Sequence, residues 1–369
     1  MAERGHGAAR RWAAVGALAA VLVALPSLVG ALPASDAAVP AAELRARVLD
    51  NQDAGFSGVA ESAGGLSLPV TDRLTSVADL FSDRTTMRVW WRGPEDHRVD
   101  VLSAAGETGI HRDRVGAWTW EYEAATATRS LPTSFALPSP PDLLPTSLGR
   151  RVLSEAEVGE LSRIGARRVA GRDALGLRLV PAEPASSVDR VDLWVDGASG
   201  LPLQVEIFEK DSDLPALDTR FLELEVGEPD PATIAFAPPA GASLRTAREA
   251  EVVLEAGRRI RPVPLPDELA GLPRRQLDGV PPGIGLYGRG VTLLAVAPVP
   301  PGLARGLRDA LTQSPDAIRD EVGTRLAAGP VGLMLVEPAG RGPYVLTGTV
   351  TLDALAVAAT ELPGLGGDL

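Results

Sequence analysis

The chain of 369 residues has no cysteine. That excludes disulfides, thiolate-bound metal and a cysteine nucleophile, and also a lipid attached to an N-terminal cysteine. Lysine is nearly absent: of 36 basic residues only Lys210 is lysine, a preference that reads as codon bias rather than chemistry. Histidines number three, and aromatic residues make up only 4% of the chain. An excess of positive charge is missing too, since the net charge is -12. This argues against nucleic acid, whose phosphates need a cationic surface, and against electrostatic docking on anionic lipid.

One long apolar run is present. Residues Trp12 to Ala31 carry no charge and follow Arg4, Arg10 and Arg11. A charged flank, an apolar stretch and a small-residue site at Val29-Gly30-Ala31 describe an export signal. The run also approaches the roughly 20 residues that span a bilayer. Residues 1–31 are therefore read as a signal peptide or an N-terminal membrane anchor, with the bulk of the chain outside the cytoplasm.

The rest of the chain is 45% apolar overall, enough for more than one buried core. Four of the six tryptophans, Trp90, Trp91, Trp118 and Trp120, fall between Thr86 and Arg129. Apolar and polar residues alternate there, with breaks at Gly93-Pro94-Glu95-Asp96, Ala105-Gly106 and Val115-Gly116. Alternation with short breaks predicts antiparallel strands over 85–92, 97–103, 108–113, 117–123 and 127–131. A short helix is expected over 41–53 and a strand over 56–61. The proline-rich apolar stretch 132–145 is expected to be a loop. Ser154-Glu155-Ala156-Glu157 fits a capping box opening a helix to about Ser162. A second antiparallel set is expected within 167–181, 189–196, 202–209 and 219–227. Residues 243–282 read as a connector rich in proline and arginine. A smaller unit follows over 283–369, with strands at 290–297, 331–337 and 344–350 and helices beginning at Leu303, Ala317 and Leu352.

Motifs for catalysis are lacking. Gly283-Ile284-Gly285-Leu286-Tyr287-Gly288 matches a dinucleotide fingerprint letter by letter, but prolines precede it and an apolar strand follows, so chance explains it. His97 and His111 lie near Glu95, Asp96 and Asp113, without a third ligand at diagnostic spacing; both are read as surface or strand residues. Ser57 misses the nucleophile elbow because Val59 stands where glycine is needed. Glu223 and Glu225 alternate as on a solvated strand face. No enzyme and no cofactor are expected.

The tryptophan strands remain. In Trp118-Thr119-Trp120-Glu121-Tyr122 the aromatic rings share one face of a strand. They line either a filled core or an apolar cavity, and patterning leaves both open. The candidate lining is Trp90, Trp118, Trp120, Tyr122, Phe135, Leu137, Leu143, Leu144 and Trp194.

The order of the motifs resembles a known family. Trp91-Arg92-Gly93-Pro94, His97-Arg98-Val99-Asp100, His111-Arg112-Asp113 and Trp118-Thr119-Trp120 are similar to the LolA-like lipoprotein-carrier fold. Gly55-Phe56-Ser57-Gly58 resembles that family's first strand. Leu193-Trp194-Val195-Asp196, Gly200-Leu201-Pro202-Leu203 and the closing Phe236 to Gly241 resemble its second half. With a small domain after it, carrying Gly342-Pro343-Tyr344-Val345-Leu346-Thr347-Gly348, the layout resembles the RseB/MucB regulators of extracytoplasmic sigma factors. The resemblance implies an α+β fold: a half-open antiparallel β-barrel covered by helices over 40–242, plus a small α/β C-terminal domain. It implies binding or sensing of an acyl chain or lipoprotein lipid, and a membrane partner such as an anti-sigma factor. A carrier serving an envelope transporter and a structural envelope module are the alternatives.

Overall fold

The computed structural model describes residues 34–64, 84–103, 106–130, 139–247, 264–276, 283–337 and 342–362. The expected export segment, Phe135 and Leu137 lie outside the described residues. No described helix is long and apolar enough to cross a membrane.

After helix α1 (Ala41–Asp50), the chain forms β1 (Phe56–Gly64), β2 (Arg84–Gly93), β3 (Asp96–Ser103), β4 (Gly106–Asp113), β5 (Gly116–Glu121) and β6 (Thr126–Ser130). These strands form an antiparallel meander. A 3-10 turn (Pro140–Leu143) and helix α2 (Pro145–Ser154) lead to β7 (Leu161–Val169), β8 (Arg172–Leu179), β9 (Val188–Asp196), β10 (Pro202–Glu209) and β11 (Pro215–Val226). The two meanders join where β1 pairs with β11. A short helix α3 (Pro231–Ile234) precedes β12 (Ser243–Thr246), which adds in parallel to β6. The order is β12-β6-β5-β4-β3-β2-β1-β11-β10-β9-β8-β7, with the two ends unpaired. The sheet is a half-open barrel, as expected.

Helices cover one face of it. Helix α2 starts on Pro145 at its first turn, where a missing N–H costs nothing. It buries Thr146, Val152 and Leu153 against the sheet. Gly149 permits the close approach, since a Cβ there would stand 2.9 Å from Pro202 and 3.3 Å from Leu193. Leu44 and Val48 of α1 complete a core with Leu175, Leu177, Leu193, Val195 and Val205. A neighbouring core gathers Phe56, Met87, Val89, Trp91 and Val99 under Leu143 and Leu144.

The small domain holds a hairpin of β13 (Glu268–Leu269) and β14 (Leu272–Pro273), then β15 (Gly285–Arg289), β16 (Thr292–Pro298), α4 (Pro301–Gln313), β17 (Ile318–Arg319), β18 (Thr324–Ala328), β19 (Val331–Val336), β20 (Tyr344–Gly348) and α5 (Leu352–Glu361). Its six-stranded sheet is ordered β15-β16-β20-β19-β18-β17. Leu355, Ala358 and Ala359 of α5 and Tyr287 form its core.

Two expected helices are corrected. Ser154 ends α2 instead of opening a helix, because Pro145 starts that helix earlier. The acidic residues after Ser154 serve a 3-10 turn, where Glu160 accepts from the Glu157 amide (2.8 Å), and β7 begins at Leu161. The stretch 317–328 forms strands β17 and β18. Asp320 turns the chain by accepting from the amides of Val322 and Gly323 (3.0 and 3.2 Å), so no helix can run through it. The stretch read as a connector contains strand β12, which adds to β6 as the end strand of the large sheet.

Candidate functional site

Cross-strand register decides which side chains share a face. Trp91 of β2 stands opposite Phe56 of β1 and His97 of β3. Trp91 stacks on His97 with ring centroids 4.3 Å apart and on Phe56 at 5.8 Å; Phe56 meets Phe221 edge-on at 5.6 Å. This aromatic column lies on the helix-covered face, in the core that Leu143 and Leu144 cap. Thr219 ties the cap down, donating its hydroxyl to Leu143 O at 2.6 Å. The Arg150 guanidinium of α2 lies 6.0 Å from the Trp91 ring.

The opposite face carries a different row. Ser57, Trp90, Arg98, His111, Trp118 and Arg129 stand side by side across β1 to β6. Arg98 lies over the Trp90 ring (4.9 Å) and Arg129 over Trp118 (5.7 Å), cation–π contacts that let rings remain half-exposed. In the next row Asp100 is fully buried and bidentate to Arg98 (2.8 and 2.6 Å). Phe236, from the segment after α3, closes over this row, 4.6 Å from His111, 6.0 Å from Trp118 and 6.1 Å from Trp120. Tyr122 sits past the end of β5, 41% exposed, with its ring edge-on to Trp120. A shallow groove of about 360 Å³ runs beside Trp90, lined by Ser57, Val59, Arg88, Glu223 and Glu225.

Both histidines, read as surface or strand residues, lie on strands, and both are buried. Their strands are central, and each ring has an aromatic lid. His97 Nδ1 donates to Gly93 O at 3.2 Å and His111 Nδ1 to Ile234 O at 2.9 Å, protons assigned because a carbonyl can only accept. Burial pushes the His97 pKa down to about 4 and lowers that of His111. Among the described residues no cluster of histidine and carboxylate fits a metal ion. The G-x-G-x-x-G stretch runs into strand β15, so no helix N-terminus receives a phosphate there.

The candidate residues are thus divided. Leu143 and Leu144 lie on the covered face. Trp90, Trp118, Trp120 and Tyr122 lie on the other. Trp194 stands opposite Gln204 and Gly176, away from Leu193 and Val195, with Arg167 3.9 Å above its ring and its Nε1–H donated to Glu206 (3.2 Å). The covered-face residues that sequence reasoning missed are Phe56, Trp91, His97, Arg150 and Phe221. The one available signal was the Trp90-Trp91 pair, since alternation forces one of two adjacent rings onto each face.

The two domains are joined by ion pairs. Glu155 accepts both Arg275 nitrogens (2.9 and 2.5 Å) and the Gly290 amide (2.7 Å). Glu160 accepts Arg289 bidentately (2.9 and 3.0 Å), and Arg289 also reaches Glu183 (2.7 Å). Hydrogen bonding from Arg275 holds the Glu155 carboxyl below its usual range. Backbone contacts add to this, with Thr351 N donating to Ala185 O at 2.9 Å and Ser187 N to Thr349 O at 3.2 Å.

No family model matches the sequence, and no curated protein does. Solved structures do resemble it. The MucA/MucB complex of Pseudomonas aeruginosa matches at 16% identity and TM-score 0.51, over 88% of this chain and 98% of that one. MucB in complex with MucA(peri) matches at 17% identity and TM-score 0.49, over 88% and 98%. A LolA superfamily protein of Nitrosomonas europaea matches at 13% identity and TM-score 0.25, over 54% of this chain and 99% of that one. The likeness to the first of these shows that this chain has the MucB fold.

Proposed function

We propose that the chain is a non-enzymatic, extracytoplasmic lipid-binding or lipid-sensing regulator that acts through a membrane partner such as an anti-sigma factor. The observation that carries this reading is the likeness to MucB, a protein solved in complex with MucA, across both domains rather than the large one alone. An isolated carrier domain would need no second domain bolted to it by Glu155–Arg275 and Glu160–Arg289. The charge-poor apolar run behind Arg10 and Arg11 supports export and, if it is not cleaved, attachment to the membrane.

The lipid half of the proposal rests on chemistry. An acyl chain needs only apolar surface, at about 0.8 kcal/mol per buried methylene. The core of Phe56, Met87, Val89 and Trp91 beneath Leu143 and Leu144 is one apolar region beneath the helices, and an acyl chain would enter it by displacing side chains now packed there. Native mass spectrometry of the full chain, purified from its host, tests the reading. Co-purified lipid, or a bound acyl probe in a defined stoichiometry, is the expected result. A chain that carries no lipid and takes up no probe would sink it. Crosslinking in the native membrane tests the partner; capture of a single-span protein with a cytoplasmic sigma-binding domain is expected, and capture of a transporter instead would favour the carrier reading.

A further inference from the structure

Between β11 and β12 the chain runs as a strap, residues 228–242, across the outer face of the first meander. Its anchors fall on successive strands. Arg92 of β2 pairs with Glu228 (2.6 Å) and donates to Pro229 O (2.8 Å). Arg98 of β3 donates to Thr233 O (3.3 Å). His111 of β4 donates to Ile234 O (2.9 Å). Phe236 then lies 4.6 Å from the His111 ring, 6.0 Å from Trp118 and 6.1 Å from Trp120 of β5. The strap leads into β12, where Ser243 N donates to Ala125 O (2.9 Å).

The three side-chain anchors are not alike. A guanidinium stays charged at every pH a protein survives, whereas an imidazole changes charge near neutrality. His111 is buried, and its second ring nitrogen, Nε2, has no hydrogen-bond partner. In the neutral ring that nitrogen is an idle acceptor. In the protonated ring it is a buried, charged donor, which costs far more to leave unpaired. The groups around the ring give a cation little relief. Arg98 stands directly opposite on β3, and its charge repels a second one. Asp100 is close by, since a Cβ on Gly109 would stand 3.2 Å from both Asp100 Oδ1 and His111 Nε2. Both Asp100 oxygens, however, already accept from Arg98 (2.8 and 2.6 Å). From β5 and from the strap the ring meets Trp118 and Phe236, which do not titrate. Burial accordingly holds the His111 pKa below its ordinary value of 6.5.

We propose that His111 is a pH-operated clasp: the neutral ring holds the strap on the sheet, and the protonated ring releases it, uncovering Trp118 and Trp120. This does not rest on the lipid reading above. The docked strap disfavours the proton, so docking is fully present above pH 6.5 and is lost as pH falls through the lowered pKa. In that window it weakens by up to about tenfold per pH unit.

Hydrogen exchange of the full chain at about pH 7.5 and about pH 5, corrected for intrinsic rates, tests it. Protection of the strap amides Thr233, Ala235 and Ser243 is expected to fall roughly tenfold at the lower pH, more than that of β8 and β9. His111→Asn offers an amide N–H to Ile234 O without titrating, and should keep the strap protected at both pH values. Phe236→Ala serves if that variant fails to fold. It admits solvent to the ring, so strap protection should already be low at the higher pH and should change less than about twofold between the two. Three results overturn the clasp: equal strap protection at both pH values in the unaltered chain, a loss shared equally with β8 and β9, or an acid-dependent loss that survives either substitution.

Discussion

Trp90 and Trp91 are neighbours in sequence and lie on opposite faces of one sheet. Trp91 is stacked between His97 and Phe56 beneath the helices, whereas Trp90 lies under the Arg98 guanidinium on the other side. Their replacement should separate the two faces. Trp91→Ala is expected to cost about 3–5 kcal/mol, the loss typical of an aromatic deleted from a core. Trp90→Ala should cost about 1 kcal/mol, since it removes a half-exposed ring and one cation–π contact. Urea unfolding of the two variants gives both values, and equal losses would refute the assignment of faces.

His97 should make stability depend on pH in a defined window. Its pKa falls from 6.5 to about 4 on folding, because burial disfavours the charged ring. Between these values the unfolded chain binds the proton and the folded one does not. The contribution is therefore fully present above pH 6.5 and is lost as pH drops toward 4. Its size is on the order of 3 kcal/mol. His97→Phe keeps a ring against Trp91 and removes the titration, so its stability should vary less with pH across that window. Parallel curves for the two proteins would refute the account.

Arg289 should govern how the domains are held together. Arg289→Ala leaves the Glu160 side chain, only 6% exposed, without its bidentate partner. A loss of about 2 kcal/mol is expected, discounted for the partial exposure of the guanidinium. Because the pair spans the interface, the thermal transition should broaden or split, and small-angle scattering should show a larger radius of gyration. A single sharp transition with unchanged scattering would place the coupling elsewhere.

Gly58 should be intolerant of a side chain. It lies on β1 beside a bulge in the β1–β11 pairing, which joins the two meanders. A Cβ there would stand 2.2 Å from Glu223 O, and backbone cannot yield as a side-chain tip can. Gly58→Ala is expected to destabilise the chain by about 1–3 kcal/mol, measurable by chemical denaturation.

Much of the large domain could be read in advance. The breaks at Gly93-Pro94 and Gly116 and the alternation between them place β2 to β6 to within a few residues. Helix α2 could not be read, because its apolar residues follow a run of prolines and its amphipathic pattern is short. Nor could the burial of His97 and His111. Each is polar and flanked by charges in sequence, and only Trp91 and Phe236, brought in from β2 and from beyond α3, cover them.

The sequence by itself determined most strands of the large domain, the antiparallel pairing of neighbours such as β2 to β6, and which residues along each share a face, because side chains alternate with a period of two; β12, β17, β18 and the pairing of β1 with β11 came only from the structure. It also determined the absence of thiol chemistry, since there is no cysteine. Only the tertiary structure decided which face the helices cover. A strand is compatible with either choice, and the choice moves every second residue from solvent to core. Leu143, Leu144 and α2 pack on the side of Trp91, and that places Trp90, Trp118 and Trp120 on the other side while bringing Arg150 over Trp91. The pairing of helix to face comes from contacts between residues far apart in the chain, which no local pattern encodes.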